Sequence, residues 1–332
     1  MCARKSPFSP FRFLDMDRQS NLLDILRLRS SLLEKVRLFF KERGVLEVET
    51  PILVHAPAIE EHIEPFVTNY PDIDGRPLYL ISSPEYAMKR LLTMGAGSIY
   101  QITKVFRNEE EGRLHNPEFS MIEWYRVGGD MEGLMQEVEE FISSILGFDR
   151  ANRISYAEAF ERYAGINPHT DSIERIREVV LGNSLYPPDS LGECRDGWLS
   201  FVLAYMVEPN LGFDTPTIVY DYPASQAALS KVRGGEMPLA ERFELYLNGI
   251  ELCNGYHELT DYDEHIKRFG SANDKREISG KGRLPADKLF LEAVKTGLPE
   301  CSGVSFGFDR MIMIAAGVDS IDKVIPFTIK NA

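Results

Sequence analysis

The chain has 332 residues, 44% of them hydrophobic and 27% charged, with 37 Lys and Arg against 51 Asp and Glu for a net charge of −14. This balance suits a globular protein with a large core, and it weighs against a broad nucleic-acid footprint, because phosphate contacts need clustered Lys and Arg. No apolar run approaches the roughly 18 residues that a membrane helix needs. The four cysteines, Cys2, Cys194, Cys253 and Cys301, are scattered with no CxxC pair. That spacing argues against a disulfide framework or a structural zinc site and fits a reducing cytoplasm.

Residues 1–20 read as an N-terminal tail; Met1 to Asp17 mixes charges and prolines and lacks the apolar stretch of a signal peptide. From Leu22 to Phe40 apolar side chains recur at helical spacing, and Gly44 stands where a C-terminal cap belongs. Val45 to Glu49 reads as a short strand stopped by Thr50-Pro51, and Leu78 to Ile81 as another. Ser83-Pro84 fits an N-cap followed by proline at the first helical position, opening a helix to about Met94. Ser98 to Arg107 and Phe119 to Val127 read as strands joined by a charged loop; alternation along the second puts Phe119, Met121, Glu123 and Tyr125 on one face. Residues 131–146 and 171–181 are predicted helices, and 183–196 a surface connection. Thr217 to Tyr222 is a predicted strand, and Asn248-Gly249 joins Phe243–Leu247 to Ile250–Cys253 as a two-residue hairpin turn. The polar stretch 271–287 reads as a mobile loop, and Asp309 to Ala316 as a final helix. Short strands, hairpins and inserted helices predict an α+β fold, an antiparallel β-sheet flanked by helices. Residues 21–332 are expected to form a single domain.

The common nucleotide fingerprints are missing: Gly280-Lys281-Gly282 lacks the rest of a P-loop, and no GxGxxG opens a helix. Three other segments stand out: Arg43 to Pro51; Phe106-Arg107-Asn108-Glu109 with His115-Asn116-Pro117-Glu118-Phe119 and Glu123-Trp124-Tyr125; and Gly303 to Arg310. In this order and at these separations they resemble motifs 1, 2 and 3 of class II aminoacyl-tRNA synthetases. Glu241-Arg242-Phe243-Glu244, Glu251, Asn254-Gly255 and Glu258-Leu259 place the resemblance near the lysyl branch.

The resemblance implies the class II catalytic domain and ATP-dependent activation of a lysine-like amino acid as an aminoacyl-adenylate. Joining a carboxylate to AMP needs in-line attack on the α-phosphorus. The nucleophile is already an anion, so positioning and charge neutralisation do the work, which calls for arginines and Mg²⁺. The family roles then fall on Arg107 for the carboxylate and α-phosphate, Arg310 for the γ-phosphate, and Gly307 for close approach of the nucleotide. Phe119 would stack on adenine, with Asn108, Glu109, His115 and Asn116 nearby. Glu251 would hold Mg²⁺, and Leu252 would offer its backbone. Glu85 in Ser83-Pro84-Glu85 would take the amine near the substrate carboxylate, and Glu258 with the Tyr125 hydroxyl the distal ammonium. A buried ammonium needs such a partner. Glu251 and Glu258 are seven apart, which on a regular strand faces them oppositely, so a bulge at Asn254-Gly255 is expected.

Two features depart from a full synthetase. Barely twenty residues precede the first helix, leaving no room for an anticodon-reading domain and making tRNA an unexpected partner. Ser305 stands where lysyl-tRNA synthetases usually carry glycine, so it is expected to narrow the amino-acid pocket against α-lysine by about 1–3 kcal/mol. Such a chain looks like the truncated synthetase paralogues that act on translation elongation factor P. That likeness implies (R)-β-lysine as substrate, a lysine ε-amine of elongation factor P as acceptor, and a homodimer. Three alternatives stay open: a ligase for a small amine, a tRNA-charging fragment, and a synthetase-like regulatory protein without catalysis.

Overall fold

A computed structural model describes residues 22–70 and 75–332. The expected N-terminal tail and Cys2 lie outside these residues. In chain order the helices and strands are α1 (Leu22–Glu42), β1 (Leu46–Glu47), β2 (Leu53–Val54), β3 (Val67–Asn69), β4 (Pro77–Leu80), α2 (Glu85–Thr93), β5 (Ile99–Phe106), β6 (Glu118–Val127), α3 (Met131–Leu146), β7 (Asn152–Ser155), α4 (Tyr156–Ala164), α5 (Ile173–Gly182), α6 (Arg195–Val202), β8 (Thr217–Pro223), β9 (Val232–Arg233), β10 (Leu239–Leu247), β11 (Ile250–His257), α7 (Tyr262–Ile278), α8 (Lys288–Gly297), β12 (Cys301–Gly307) and α9 (Phe308–Ala316). The sequence reading takes 21–332 as one domain; the chain's own contacts gather it into two compact units, one formed by 131–257 and the other by the described residues before and after it.

The larger unit contains 22–130 and 258–332. Its α1 buries Ile25, Leu32, Val36, Phe39 and Phe40, the stripe that the helical spacing predicts. Gly44 follows in the left-handed region, at φ 64°. Phe40 stacks on Tyr100 of β5 at 4.2 Å between ring centroids. The expected strand at 45–49 is only two residues long, paired parallel to β5. Strands β5 and β6 run antiparallel, and β12 lies antiparallel on the other side of β6. Strands β2 and β3 flank β4 in a small separate sheet. Pro84, rather than Ser83, occupies the N-cap position of α2, and the Ser83 hydroxyl accepts from the Glu85 N–H at 3.0 Å.

The predicted mobile loop at 271–287 is not what forms. Helix α7 runs through to Ile278, and Arg276 in its last turn is fully buried. Its guanidinium donates to the carbonyls of Glu60 at 3.0 Å, Ile63 at 2.7 Å and Gly282 at 3.0 Å, and pairs with the Glu64 carboxylate at 2.7 Å. The Asn273 amide also exchanges hydrogen bonds with the Leu284 backbone. Polar composition misled the sequence reading because these side chains are spent on tertiary contacts rather than on solvent.

In the unit formed by 131–257, β8, β10 and β11 pair antiparallel, β7 adds parallel to β8, and β9 lies beside β10. Helix α4 opens with a capping box between Ser155 and Glu158 and closes at Gly165 in the left-handed region. Tyr156, Phe160, Ile176, Val180, Val202, Val219 and Tyr222 form much of the core. The β10–β11 hairpin turns at Asn248 and Gly249, both at positive φ (52° and 69°), as the sequence predicts. A buried carboxylate, Glu244, accepts from Tyr222 at 2.7 Å and also binds Arg242 and Tyr246, which satisfies a charge that the core otherwise disfavours.

Candidate active site

Most of the residues singled out from sequence sit in the larger unit, on β6, β12 and the segments next to them. The β6–β12 register sets Ser305 opposite Glu123 and Gly303 opposite Tyr125. Side chains directly across an antiparallel pair share a face, so these four positions form one wall. The Tyr125 hydroxyl donates to Glu123 at 2.7 Å, and the Ser83 hydroxyl donates to the other oxygen of the same carboxylate at 2.7 Å. The sequence reading set Tyr125 beside Glu258 for the distal ammonium; the Tyr125 hydroxyl itself donates to Glu123. Gly303 carries a further constraint. A Cβ there would collide with the Tyr125 ring and the Glu258 carboxylate, so only glycine lets these two approach.

Glu258 is buried, and its Oε2 lies 2.6 Å from the ammonium of Lys89. Lys89 is also fully buried and pairs with Glu85 one turn earlier on α2. It stands 6.0 Å from the centre of the Tyr125 ring. The two carboxylates assigned from sequence to separate ammonium groups thus share a protein ammonium. With Glu123 included, three carboxyl groups surround the single ammonium of Lys89, two more acidic groups than basic ones. That surplus matches a diamino acid in its doubly protonated form. Burial pushes the Glu123 carboxyl up to about 7, with repulsion from Glu85 adding to the rise. Burial also raises Glu258, against the lowering pull of Lys89.

Lys89, Glu123 and Gly303 were missed as site residues. A Glu–Lys pair at i,i+4 is a readable signal for Lys89, and the face alternation along β6 already pointed at Glu123. Gly303 had no local signal, because its role depends on two side chains brought from elsewhere in the fold.

Arg107 follows β5, its N–H donating to the Pro117 carbonyl at 2.9 Å. Its guanidinium lies 5.1 Å from the centre of the Phe119 ring and 3.8 Å from Glu110. Its Nε is buried and has no partner among the described residues. A buried donor left open costs free energy unless something fills it, and an incoming carboxylate or phosphate supplies the acceptor. Asn108 bridges to the Glu64 backbone, and its side-chain oxygen accepts from the N–H of Glu109. Glu109 is exposed and takes a positive φ of 67°. Asn116 is buried and spends its amide on the Glu118 carbonyl at 2.6 Å and the Ile329 N–H at 3.1 Å. Phe119 packs with Ile81, Val105 and Met121.

Gly307 is the N-cap of α9, which places Arg310 in the first turn of that helix. Arg310 reaches His115, with Nη2 and Nε2 2.8 Å apart. Burial and the Arg310 charge both lower the His115 pKa, so the imidazole is neutral and accepts. Helix α9 is itself anchored: buried Asp309 pairs with Arg29 and accepts from the Ser120 N–H at 2.6 Å.

Glu251 and Leu252 belong to the other unit, on β11. The register there slips between Leu245 and Tyr246, which pair with Cys253 and Glu251 and leave Leu252 as the extra residue. The expected bulge therefore exists but lies at Leu252, two residues before Asn254. It shifts the strand's facing by one residue after Glu251. Among the described residues no group of three or more His, Cys, Asp or Glu is arranged to hold a metal ion. A Mg²⁺ site made of one carboxylate and substrate phosphates needs no such group.

Arg310 in the first turn of α9, Arg107 with its open donor, and the carboxyls of Glu85, Glu123 and Glu258 around Lys89 all lie in the larger unit. Residues 9–331 match the profile of the tRNA synthetases class II (D, K and N), and the chain belongs to that family. Membership implies ATP use. The chain is also 46% identical over 307 residues, 92% of this chain and 94% of the relative, to the Elongation factor P--(R)-beta-lysine ligase of Yersinia enterocolitica serotype O:8 / biotype 1B.

Proposed function

We propose that this protein activates (R)-β-lysine with ATP and passes the β-lysyl group to the ε-amine of a lysine on elongation factor P. The name of a relative that matches along nearly its whole length supports the substrate and acceptor. The observation that carries the reading is the set of acidic groups: Glu85, Glu123 and Glu258 around a single Lys89, two more carboxyls than ammonium groups and able to ionise against an incoming dication, near an arginine with an open donor. Aspartate, the substrate of another branch of the family, would meet repulsion here.

In the first step a substrate carboxylate oxygen attacks the α-phosphorus, an O–P bond forms, and the bond to pyrophosphate breaks. In the second the acceptor amine attacks the acyl carbon, AMP leaves, and the amine loses a proton. Arg107 holds the reacting carboxylate and α-phosphate through its planar fork. Arg310, backed by His115, takes the terminal phosphate. Glu251 is the residue that would hold Mg²⁺, which would supply positive charge to phosphate oxygens. Tyr125 and Glu123 hold the distal ammonium while Ser305, across from Glu123, sets the depth available to the chain.

The dimer and the cytoplasmic setting are part of the same proposal. Exposed Leu38, Leu46 and Leu53 on α1, β1 and β2 offer apolar surface for a second copy. Cys194, Cys253 and Cys301 are free thiols, which suits a reducing compartment. Among the described residues no helix is long and apolar enough to cross a membrane.

Amino-acid-dependent exchange of pyrophosphate into ATP tests the chemistry. The wild-type protein should exchange with (R)-β-lysine and not with aspartate, and Arg107→Ala should lose exchange by at least about a hundredfold with an unchanged melting temperature. Exchange with aspartate, or near-normal exchange in Arg107→Ala, would sink the assignment.

A further inference from the structure

Residues 59–64 form an irregular strap between the helix that carries Glu85 and the segment that carries Arg107. Hydrogen bonds fix its backbone along its length. The Ile59 N–H donates to the hydroxyl of Tyr86, the neighbour of Glu85, at 3.2 Å. The Glu60 and Ile63 carbonyls accept from buried Arg276. The Glu64 carbonyl accepts from the N–H of Asn108, the neighbour of Arg107, at 2.8 Å. Glu60 is therefore held at a defined place by its backbone, not by its side chain.

Glu60 keeps an exposed surface, with protein close enough around its carboxyl to desolvate it in part. Among the described residues its side-chain hydrogen bond is from the Ser82 hydroxyl, at a long 3.4 Å. Burial raises its carboxyl, Arg107 pulls it back, and Glu85 and Glu110 raise it further. The charges that act on it are thus those of the reacting end of the site. Among the described residues this carboxylate forms no ion pair: the strap is pinned through carbonyls, and the neighbouring Glu61 pairs separately with Lys275 at 3.0 Å.

An amino acid whose carboxylate lies on Arg107 and whose nearer amine lies by Glu85 brings that amine alongside Glu60. We propose that Glu60 is a specificity-determining residue that binds, together with Glu85, the ammonium nearest the substrate's carboxylate. It selects diamino acids over chains that carry only the distal amine. This assignment rests on the proposed reading of the site as a lysine-activating centre.

The test compares pyrophosphate exchange in wild type, Glu60→Gln and Glu61→Gln, with (R)-β-lysine as substrate and ε-aminocaproate, which lacks the nearer amine, as competing ligand. Glu60→Gln should raise KM for (R)-β-lysine about tenfold or more, the scale of one lost charge-assisted hydrogen bond, and leave ε-aminocaproate inhibition unchanged. Glu61→Gln should match wild type. Glu60→Asp keeps the charge but withdraws it by one methylene, and should fall between wild type and Glu60→Gln. Equal effects of Glu60→Gln on both ligands, or none on either, would overturn the assignment. Normal wild-type exchange beside an unaffected Glu60→Gln rejects only the role of Glu60. Absence of exchange in wild type with any diamino acid rejects the reading of the site, and this role with it.

Discussion

Glu123, raised to about 7 by burial and by Glu85, keeps its proton in much of the population at neutral pH when no substrate is bound. Its folded pKa lies above its ordinary value, so the stability it lends is fully present below about 4.5 and is lost as pH rises through about 7. The shift sets that loss at roughly 3 kcal/mol at most. A bound diamino acid reverses the balance, because its ammonium needs the ionised carboxylate. KM for (R)-β-lysine should therefore fall as pH rises from 6 to 8, and Glu123→Gln should flatten that dependence while raising KM. A pH-independent KM in wild type would show that Glu123 does not titrate against the substrate. Gly303 gives a second residue-scale test. Gly303→Ala would push a methyl into the Tyr125 ring and the Glu258 carboxylate, at a cost of about 1–3 kcal/mol. It should also weaken amino-acid binding more than ATP binding; equal losses in both would place the damage in the fold at large.

At the scale of elements, what was legible in the sequence followed periodicity and turn chemistry. The stripe of α1, the alternation of β6 and the Asn248-Gly249 turn are local patterns, and each formed where expected. Helix α7 was misread past 271 because its last turn is polar, and the partners that bury Arg276 come from some two hundred residues earlier in the chain. Helices α4, α6 and α8 went unrecognised. The site divides in the same way. Arg107, Arg310, Glu85 and Glu258 were reachable through their motifs, whereas Lys89 between two carboxylates emerges only once α2 and the segment at Glu258 are brought together. Arg276→Ala would leave the Glu60 and Ile63 carbonyls and Glu64 without their donor. It should destabilise the protein by about 3–5 kcal/mol, read as a drop in melting temperature, and should speed hydrogen exchange at the strap. A melting temperature within a degree or two of wild type would show that the strap is held by other contacts.

Taken as a whole, the molecule belongs to the class II synthetases, and the proposed reading directs its amino-acid activation to a different acceptor. Its acidic balance of −14 opposes an extended phosphate-binding surface, while its pocket keeps the charge pattern that a doubly cationic substrate requires. The central claim joins substrate, chemistry and acceptor, and one measurement reads all three: the intact mass of elongation factor P after incubation with this protein, Mg-ATP and either α-lysine or (R)-β-lysine. The account predicts the addition of a single lysyl unit, faster with the β isomer and dependent on Arg107. An unchanged mass with both isomers, alongside amino-acid-dependent charging of tRNA, would contradict it.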